Sequence, residues 1–111
     1  MKNLKLIVNN DKVKKETFFN KIELKLILNL YAKMVSNGEW KDYGLSISKR
    51  EISFNVYHRT SDVPVYRITK NLTSKNKIYS IKNSNNQIIR SSESLESLLN
   101  RIVWKKLKLV N

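Results

Sequence analysis

The sequence changes its hydrophobic period at one short stretch, Gly38-Glu39-Trp40-Lys41-Asp42-Tyr43. Before this stretch, apolar residues recur every three or four positions, which is typical of a helix with one buried side. After it, apolar and polar residues alternate, which is typical of strands with one buried face. The chain is therefore predicted to form a helix followed by an antiparallel sheet, and residues 38–43 are predicted to be the structural joint between them.

Signals at both ends predict the helix before the joint. Asn20 and Glu23 have the spacing of a capping box, in which each side chain bonds the backbone N–H of the other, so the helix should begin at about Lys21. Gly38 supplies the left-handed conformation that commonly ends a helix. The predicted buried face consists of apolar residues at three- and four-residue spacing: Leu24, Ile27, Leu28, Tyr31 and Val35.

Further apolar residues widen the buried side of this helix. Leu26, Leu30 and Met34 lie on the flank of the predicted face, so the apolar arc is broader than one sheet face usually covers. The C-terminal helix, the N-terminal residues or a second copy of the protein could cover this arc.

Four or five short strands are predicted after the joint, with turns at 48–51, 60–62 and 84–86. If the strands on either side of 60–62 pair as a hairpin, Phe54 and Val56 share one face with Tyr66 and Ile68. The other face then carries a mostly polar set: Asn55, Tyr57, Arg59, Val65 and Arg67. One face is thus predicted to be core and the other is not.

A second helix is predicted at the end of the chain. Ser92 is a suitable N-cap, and Glu93 and Glu96 follow in the first turn, where the helix dipole favours negative charge. The fold class is therefore α+β: an N-terminal helix, a four- to five-stranded antiparallel meander and a C-terminal helix, with both helices on one face of the sheet. The predicted core is Leu24, Ile27, Leu28, Tyr31, Phe54, Val56, Ile68, Leu98, Leu99 and Ile102.

The chain length suits one hydrophobic core. Residues 17–111 are therefore predicted to form a single domain, and residues 1–16 a partly ordered N-terminal arm. No apolar run reaches the roughly 18 residues that a membrane-spanning helix needs, so we expect a cytoplasmic protein without a membrane span.

The composition removes several classes of function. The chain has no Cys and one His, which excludes thiol chemistry and leaves few ligands for a metal. The two glycines, Gly38 and Gly44, do not form a phosphate-binding loop. We therefore expect a non-enzymatic protein with no catalytic residue, no metal and no cofactor.

Three segments resemble a known family: Leu30-Tyr31-Ala32-Lys33-Met34-Val35, the stretch Gly38 to Tyr43, and Tyr57 to Ile68. In order and spacing they are similar to an alphaproteobacterial family, domain of unknown function 2794. Its signature is a helix that ends in Gly-Glu-Trp-basic-Asp-Tyr, followed by an Arg-x-Ser-x-x-Pro-x-Tyr-Arg segment. The resemblance covers roughly Phe18 to Leu99. It implies a bacterial cytoplasmic origin and assigns no activity, because the family has none established.

The net charge of +13 leaves two interpretations open. It favours an anionic partner such as RNA, DNA or an acidic surface. However, 17 of the 22 basic residues are Lys, and abundant Lys, Asn and Ile are also what AT-rich coding would produce without any function.

One constellation suits an anionic partner. Aromatic rings stack on bases while Arg and Lys contact phosphates, so the sequence predicts a binding surface for RNA, in preference to DNA, or another polyanion. Its candidate residues are Tyr57, Arg59, Arg67, Lys41 and Asn55.

A structural interpretation competes with this one. Trp40 and Tyr43 could attach the helix to the sheet. Arg59 and Arg67 could pair with Glu39, Asp42 or Asp62, which would fix the turn. The alternative function is protein interaction or homodimer formation, through the wide apolar face of the first helix or an exposed sheet edge.

Overall fold

The computed structural model describes residues 18–58, 63–74 and 78–102. The predicted N-terminal arm lies outside these residues, as do Arg59 and Asp62. In chain order the elements are α1 (Lys21–Ser36), β1 (Asp42–Ile47), β2 (Glu51–Tyr57), β3 (Tyr66–Asn71), β4 (Tyr79–Asn83), β5 (Ile88–Ser92) and α2 (Leu95–Arg101).

The five strands lie side by side in chain order, each antiparallel to the next. Phe54 pairs with Ile68 and Val56 with Tyr66, as the alternation predicts. The core cluster joins this face of the sheet to apolar residues of both helices. The predicted α+β fold, with a meander sheet and both helices on one face, is confirmed.

Both ends of α1 follow their predicted signals. Asn20 Oδ1 accepts from the Glu23 N–H and Glu23 Oε1 accepts from the Asn20 N–H, each at 2.8 Å, so the capping box is complete. At the other end, Gly38 has a φ of +80°. The Glu39 N–H donates to Met34 O and the Gly38 N–H to Val35 O, which is the Schellman arrangement of a helix end.

The buried face of α1 is rotated by one position from the prediction. Glu23, Ile27 and Met34 are its buried residues, while Leu28 and Val35 are 38% and 41% exposed. The prediction of Leu28 in the core and Val35 on the buried face was therefore wrong. The physical reason is Glu23, whose polar side chain interrupts the apolar stripe in the sequence although it points into the core.

The start of the last helix also differs from the prediction. Ser92 ends β5, and the N-cap of α2 is Ser94, whose Oγ accepts from the Ser97 N–H at 3.2 Å. Both serines are suitable N-caps by residue type. Ser92 is excluded only because it pairs with Tyr79 in the sheet. Leu98 and Leu99 are buried as predicted, and Ile102 packs against the core. Neither described helix is long and apolar enough to cross a membrane.

Candidate functional site

The aromatic residues of the joint pack into the core. Trp40 is only 3% exposed, and its ring lies 6.2 Å from that of Tyr31, measured between centroids. Tyr43 stacks on Phe54 at 4.7 Å, with 9° between the ring planes. Burial, and after it the carboxylate of Asp42, raises the pKa of Tyr31 beside them. The rings therefore attach α1 to the sheet, which favours the structural interpretation of Trp40 and Tyr43.

Hydrogen bonds tie the joint to the end of β2. His58 Nδ1 donates to the Glu39 carbonyl at 2.9 Å, which requires a proton on Nδ1. The Lys41 N–H donates to Tyr57 O at 2.8 Å. Asp42 Oδ1 accepts from the N–H of its neighbour Tyr43. Gly38 to Tyr43 is thus fixed through its backbone as well as through its rings.

The sheet face away from the helices, which we call the polar face, brings together most of the predicted binding residues. Alternation and register place Asn55, Tyr57 and Arg67 on it, with Asn55 directly opposite Arg67. Lys41 is exposed and lies just before β1. Arg59 lies outside the described residues.

Asn55 is committed to the sheet. Its Oδ1 accepts from Ser53 Oγ, and its Nδ2 donates to Ser46 Oγ at 2.9 Å. The residue is 5% exposed, and Ser53 and Thr69 at the centre of the polar face are 4% and 3% exposed. Asn55 therefore organises the polar face through bonds within it, and any ligand contact would come from the longer side chains.

Tyr57 lies across Gly44 of the neighbouring strand. A Cβ added at Gly44 would stand 3.9 Å from Tyr57 Cε1 and 4.0 Å from its hydroxyl oxygen. These are ordinary van der Waals distances, so the Tyr57 ring lies over Gly44 without depending on the absence of a side chain there. Tyr57 is half-buried, so part of the ring stays accessible.

Arg67 is the cation of the polar face that has no counter-ion among the described residues. Its Nε is buried and has no hydrogen-bond partner there. No ion pair links Arg67 to Glu39 or Asp42, and Asp62, the third predicted partner, lies outside the described residues. In contrast, Lys82 Nζ on the same face lies 3.5 Å from Glu51 Oε2. Tyr57 and Arg67 are diagonal neighbours, about 7–8 Å apart at their Cα atoms.

A buried polar cluster on the opposite, helix-covered face was missed in the sequence. Lys70 Nζ lies 2.8 Å from Glu23 Oε1, with the two side chains 2% and 7% exposed. Tyr79 donates its hydroxyl hydrogen to Glu23 Oε2, and Lys70 Nζ also donates to Phe18 O at 3.2 Å. We call these three side chains, Glu23, Lys70 and Tyr79, the Glu23 cluster.

The hydrogen bonds of the Glu23 cluster favour the ionised form of Glu23 and the protonated form of Tyr79. Burial alone would raise the pKa of Glu23, but hydrogen bonds from Lys70, Tyr79 and the Asn20 backbone outweigh it and hold that pKa below its ordinary value. Burial first, and then the bond to Glu23, raises the pKa of Tyr79, which keeps its hydroxyl protonated. One signal in the sequence could have revealed Lys70. It follows Ile68 by two residues in β3, and because side chains alternate along a strand, it lies on the same core face as Ile68.

Within residues 18–58, 63–74 and 78–102, no group of three or more His, Asp or Glu side chains could hold a metal ion. A family model described as "Protein of unknown function (DUF2794)" matches residues 17–99. No curated protein and no solved structure matches the chain. The bacterial origin and the cytoplasmic location implied by the sequence stay predictions.

Proposed function

Because the chain belongs to the family of unknown function DUF2794, which assigns it no activity, we propose from its own residues that it is a small non-enzymatic module that binds RNA or another polyanion through the polar face. The observation that carries the proposal is the Arg67 guanidinium. It has a buried Nε without a partner in the described part of the chain, and no described carboxylate neutralises it.

A phosphate suits the Arg67 guanidinium in its chemistry. A guanidinium offers five N–H donors in a planar fork and has no acceptor, so an anion with several oxygens satisfies it best. Paired, charge-assisted bonds of this kind are about twice as strong as neutral ones. A phosphate at Arg67 would therefore supply the counter-charge that the described residues do not provide.

Tyr57 supplies the second element of a nucleic-acid surface. Its ring lies over Gly44 and is partly accessible, so a base could stack on it diagonally beside a phosphate at Arg67. Unpaired bases are available for stacking in single-stranded RNA, whereas paired bases in a duplex are not. Single-stranded RNA is therefore the expected ligand class.

The long-range field of the chain would assist this binding. Residues 1–17 and 103–111 carry eight of the 17 lysines, and Lys41, just before β1, is exposed. A net charge of +13 attracts a polyanion from a distance and makes the affinity fall with salt. This general attraction carries no specificity, so the test must separate it from contacts at Tyr57 and Arg67.

We expect Arg67→Gln and Tyr57→Ala each to weaken binding of a labelled single-stranded RNA pool by about 1–3 kcal/mol. Tyr57→Phe should retain most of the affinity, because the ring that stacks is kept. The matched control is Lys21→Gln, which removes one exposed charge from α1 and should change the affinity little. Fluorescence anisotropy over a salt series measures all four variants.

Two results would refute this proposal. The first is no binding of the RNA pool at low salt. The second is an equal loss for Arg67→Gln and Lys21→Gln, which would show attraction by net charge alone.

A second function is supported by the outer side of α1. Ile22 is 73% exposed there, on the side of α1 that also carries Leu26, Leu30 and Lys33 at helical spacing. A groove of about 190 Å³ between α1 and α2 adjoins α1, with Leu26, Leu30 and Leu99 as its apolar lining and Lys33 and Glu96 among its polar residues. Opposite charges beside one apolar groove suit a homodimer, in which each copy could place Lys33 against Glu96 of the other.

For this alternative we expect sedimentation to show a mass above the monomer that rises with protein concentration. The charge reversal Glu96→Lys should return the protein to a monomer, because a lysine there would face Lys33 of the other copy, and Glu96 is exposed. Circular dichroism confirms that the variant is folded. A monomer at every concentration in the unaltered protein excludes the homodimer.

A further inference from the structure

The last strand of the meander, β5, forms one edge of the described sheet. It is hydrogen-bonded to β4, and no described strand lies on its other side. Every residue from Ile88 to Ser91 is exposed, with Ile88 at 60% and Ile89 at 41%. A strand edge leaves a row of backbone N–H and C=O groups without partners in the sheet, which is a template for another strand.

This edge carries one charged residue and one register shift, which limit such pairing, and lacks the other usual devices. Residues 88–92 contain no Pro and no Gly, and their only charge is Arg90. A register shift between Ile81 and Lys82 bends the strand locally, but pairing continues on both sides of it. Exposed isoleucines on a sheet edge favour aggregation unless they serve an interaction.

The register shift gives the edge two different sides. Ile88 pairs with Lys82, so it lies on the polar face, whereas Arg90 pairs with Ile81, so it lies on the helix-covered face. A strand added beside β5 would therefore meet an apolar side chain on one face and a positive charge on the other. The matching partner is an extended segment that alternates apolar and acidic residues.

A second copy of this chain fits the edge poorly. Arg90 is the middle residue of β5, so antiparallel pairing of two copies along the whole strand would place Arg90 opposite its own equivalent. Like charges directly opposite each other destabilise a sheet. The net charge of +13 on each copy adds repulsion.

We infer that the β5 edge is a docking site for an extended, acidic segment of a partner protein, which adds a sixth strand to the sheet. Backbone hydrogen bonds along 88–92 supply affinity, and Ile88 and Arg90 select the side-chain pattern. This site is separate from Tyr57 and Arg67 on β2 and β3, so the inference does not depend on RNA binding.

The test uses the full ¹⁵N-labelled chain and three synthetic peptides. One alternates Val and Glu, one alternates Val and Lys, and one is the Val–Glu peptide with N-methylated backbone amides. We expect the Val–Glu peptide to shift the amide signals of 88–92 and to slow their hydrogen exchange. The other two peptides should do neither, because one carries the wrong charge and the other cannot pair.

The variant Arg90→Glu should reverse the preference, with affinity for the Val–Glu peptide falling and that for the Val–Lys peptide rising by about threefold to tenfold each, from the value of a cross-strand charge pair. Arg90 is exposed, so the variant is expected to fold, and its amide spectrum shows whether it does. Ser91→Thr, which keeps the charge and the strand, is the matched control and should leave both affinities unchanged.

The inference is overturned if the Val–Glu peptide shifts signals only near Arg67, if the N-methylated peptide binds equally well, or if Arg90→Glu leaves the preference unchanged. It is also overturned if the protein alone protects the amides of 88–92 in a manner that depends on its own concentration. That result would make a second copy the occupant of the edge.

Discussion

Replacing Lys70 with Ala should lower the free energy of unfolding by about 3–5 kcal/mol, because the change leaves a buried carboxylate without its counter-ion. The pair is almost fully covered, with Lys70 and Glu23 side chains at 2% and 7% exposure and 2.8 Å between Nζ and Oε1. Truncation also removes the bond from Nζ to Phe18 O. Urea denaturation followed by circular dichroism measures the loss.

The control separates the interaction from the packing of the side chain. Lys70→Met keeps much of the volume and should still be strongly destabilising, whereas Lys70→Met combined with Glu23→Gln removes both charges and should regain part of the loss. Two single effects that simply add in the double variant would show that the side chains do not interact.

The same substitution has a signature in pH. The folded-state pKa of Glu23 lies below its ordinary value of 4.5, so its stabilising contribution is complete above that value and is lost as the pH falls through the folded-state pKa. The stability difference between the unaltered protein and Lys70→Ala should therefore shrink on acidification below about pH 4.5. A constant difference down to strong acid would contradict an ionised Glu23.

Trp40→Ala should be the second large loss, about 3–5 kcal/mol, because it empties the space of a fully packed ring. Trp40 is 3% exposed and lies against Tyr31. Ile22→Ala is the control, since Ile22 is 73% exposed on α1 and its truncation should cost less than about 0.5 kcal/mol. Thermal or urea unfolding compares the two.

The Trp40 variant also decides between two roles for the joint. If Trp40→Ala unfolds more readily but still binds RNA when folded, the role of Trp40 in the joint is structural. A variant as stable as the unaltered protein that no longer binds RNA would make Trp40 part of a binding surface, contrary to its burial.

The sequence predicts the strand order and the faces well because both depend on local signals. Alternation is a property of each strand, and it placed Phe54 with Ile68 and Asn55 with Arg67 as the register shows. The ends of α1 were equally local, since Asn20, Glu23 and Gly38 each act on neighbouring backbone. These are features that a few consecutive residues can specify.

The misses come from contacts between residues far apart in the chain. Glu23 was recognised as a cap, but its second role depends on Lys70, 47 residues later, which no local pattern reveals. When Glu23 is assigned to the surface, the predicted buried face of α1 turns away from it and includes Leu28 and Val35 instead. Ser92 and Ser94 are chemically identical caps, and only strand pairing with Tyr79 decides between them.

In the candidate binding surface, too, the features set by local alternation were predictable and those set by distant contacts were not. Tyr57 and Arg67 follow from alternation, and both lie on the predicted face. Asn55 also lies there, but its bonds to Ser53 and Ser46 depend on the β1–β2 register, and so its commitment to the sheet could not be predicted. Arg59 lies outside the described residues, and its role stays a prediction.

The Glu23 cluster has a consequence for which strand pairings the chain can adopt. Lys70 and Tyr79 are direct partners across β3 and β4, and one carboxylate bonds both of them. A slip of one residue between these strands would turn either Lys70 or Tyr79 to the opposite face. Glu23 would then lose one of its two side-chain hydrogen-bond donors. The start of α1 thereby discriminates between alternative alignments of two strands that follow it by half the length of the chain.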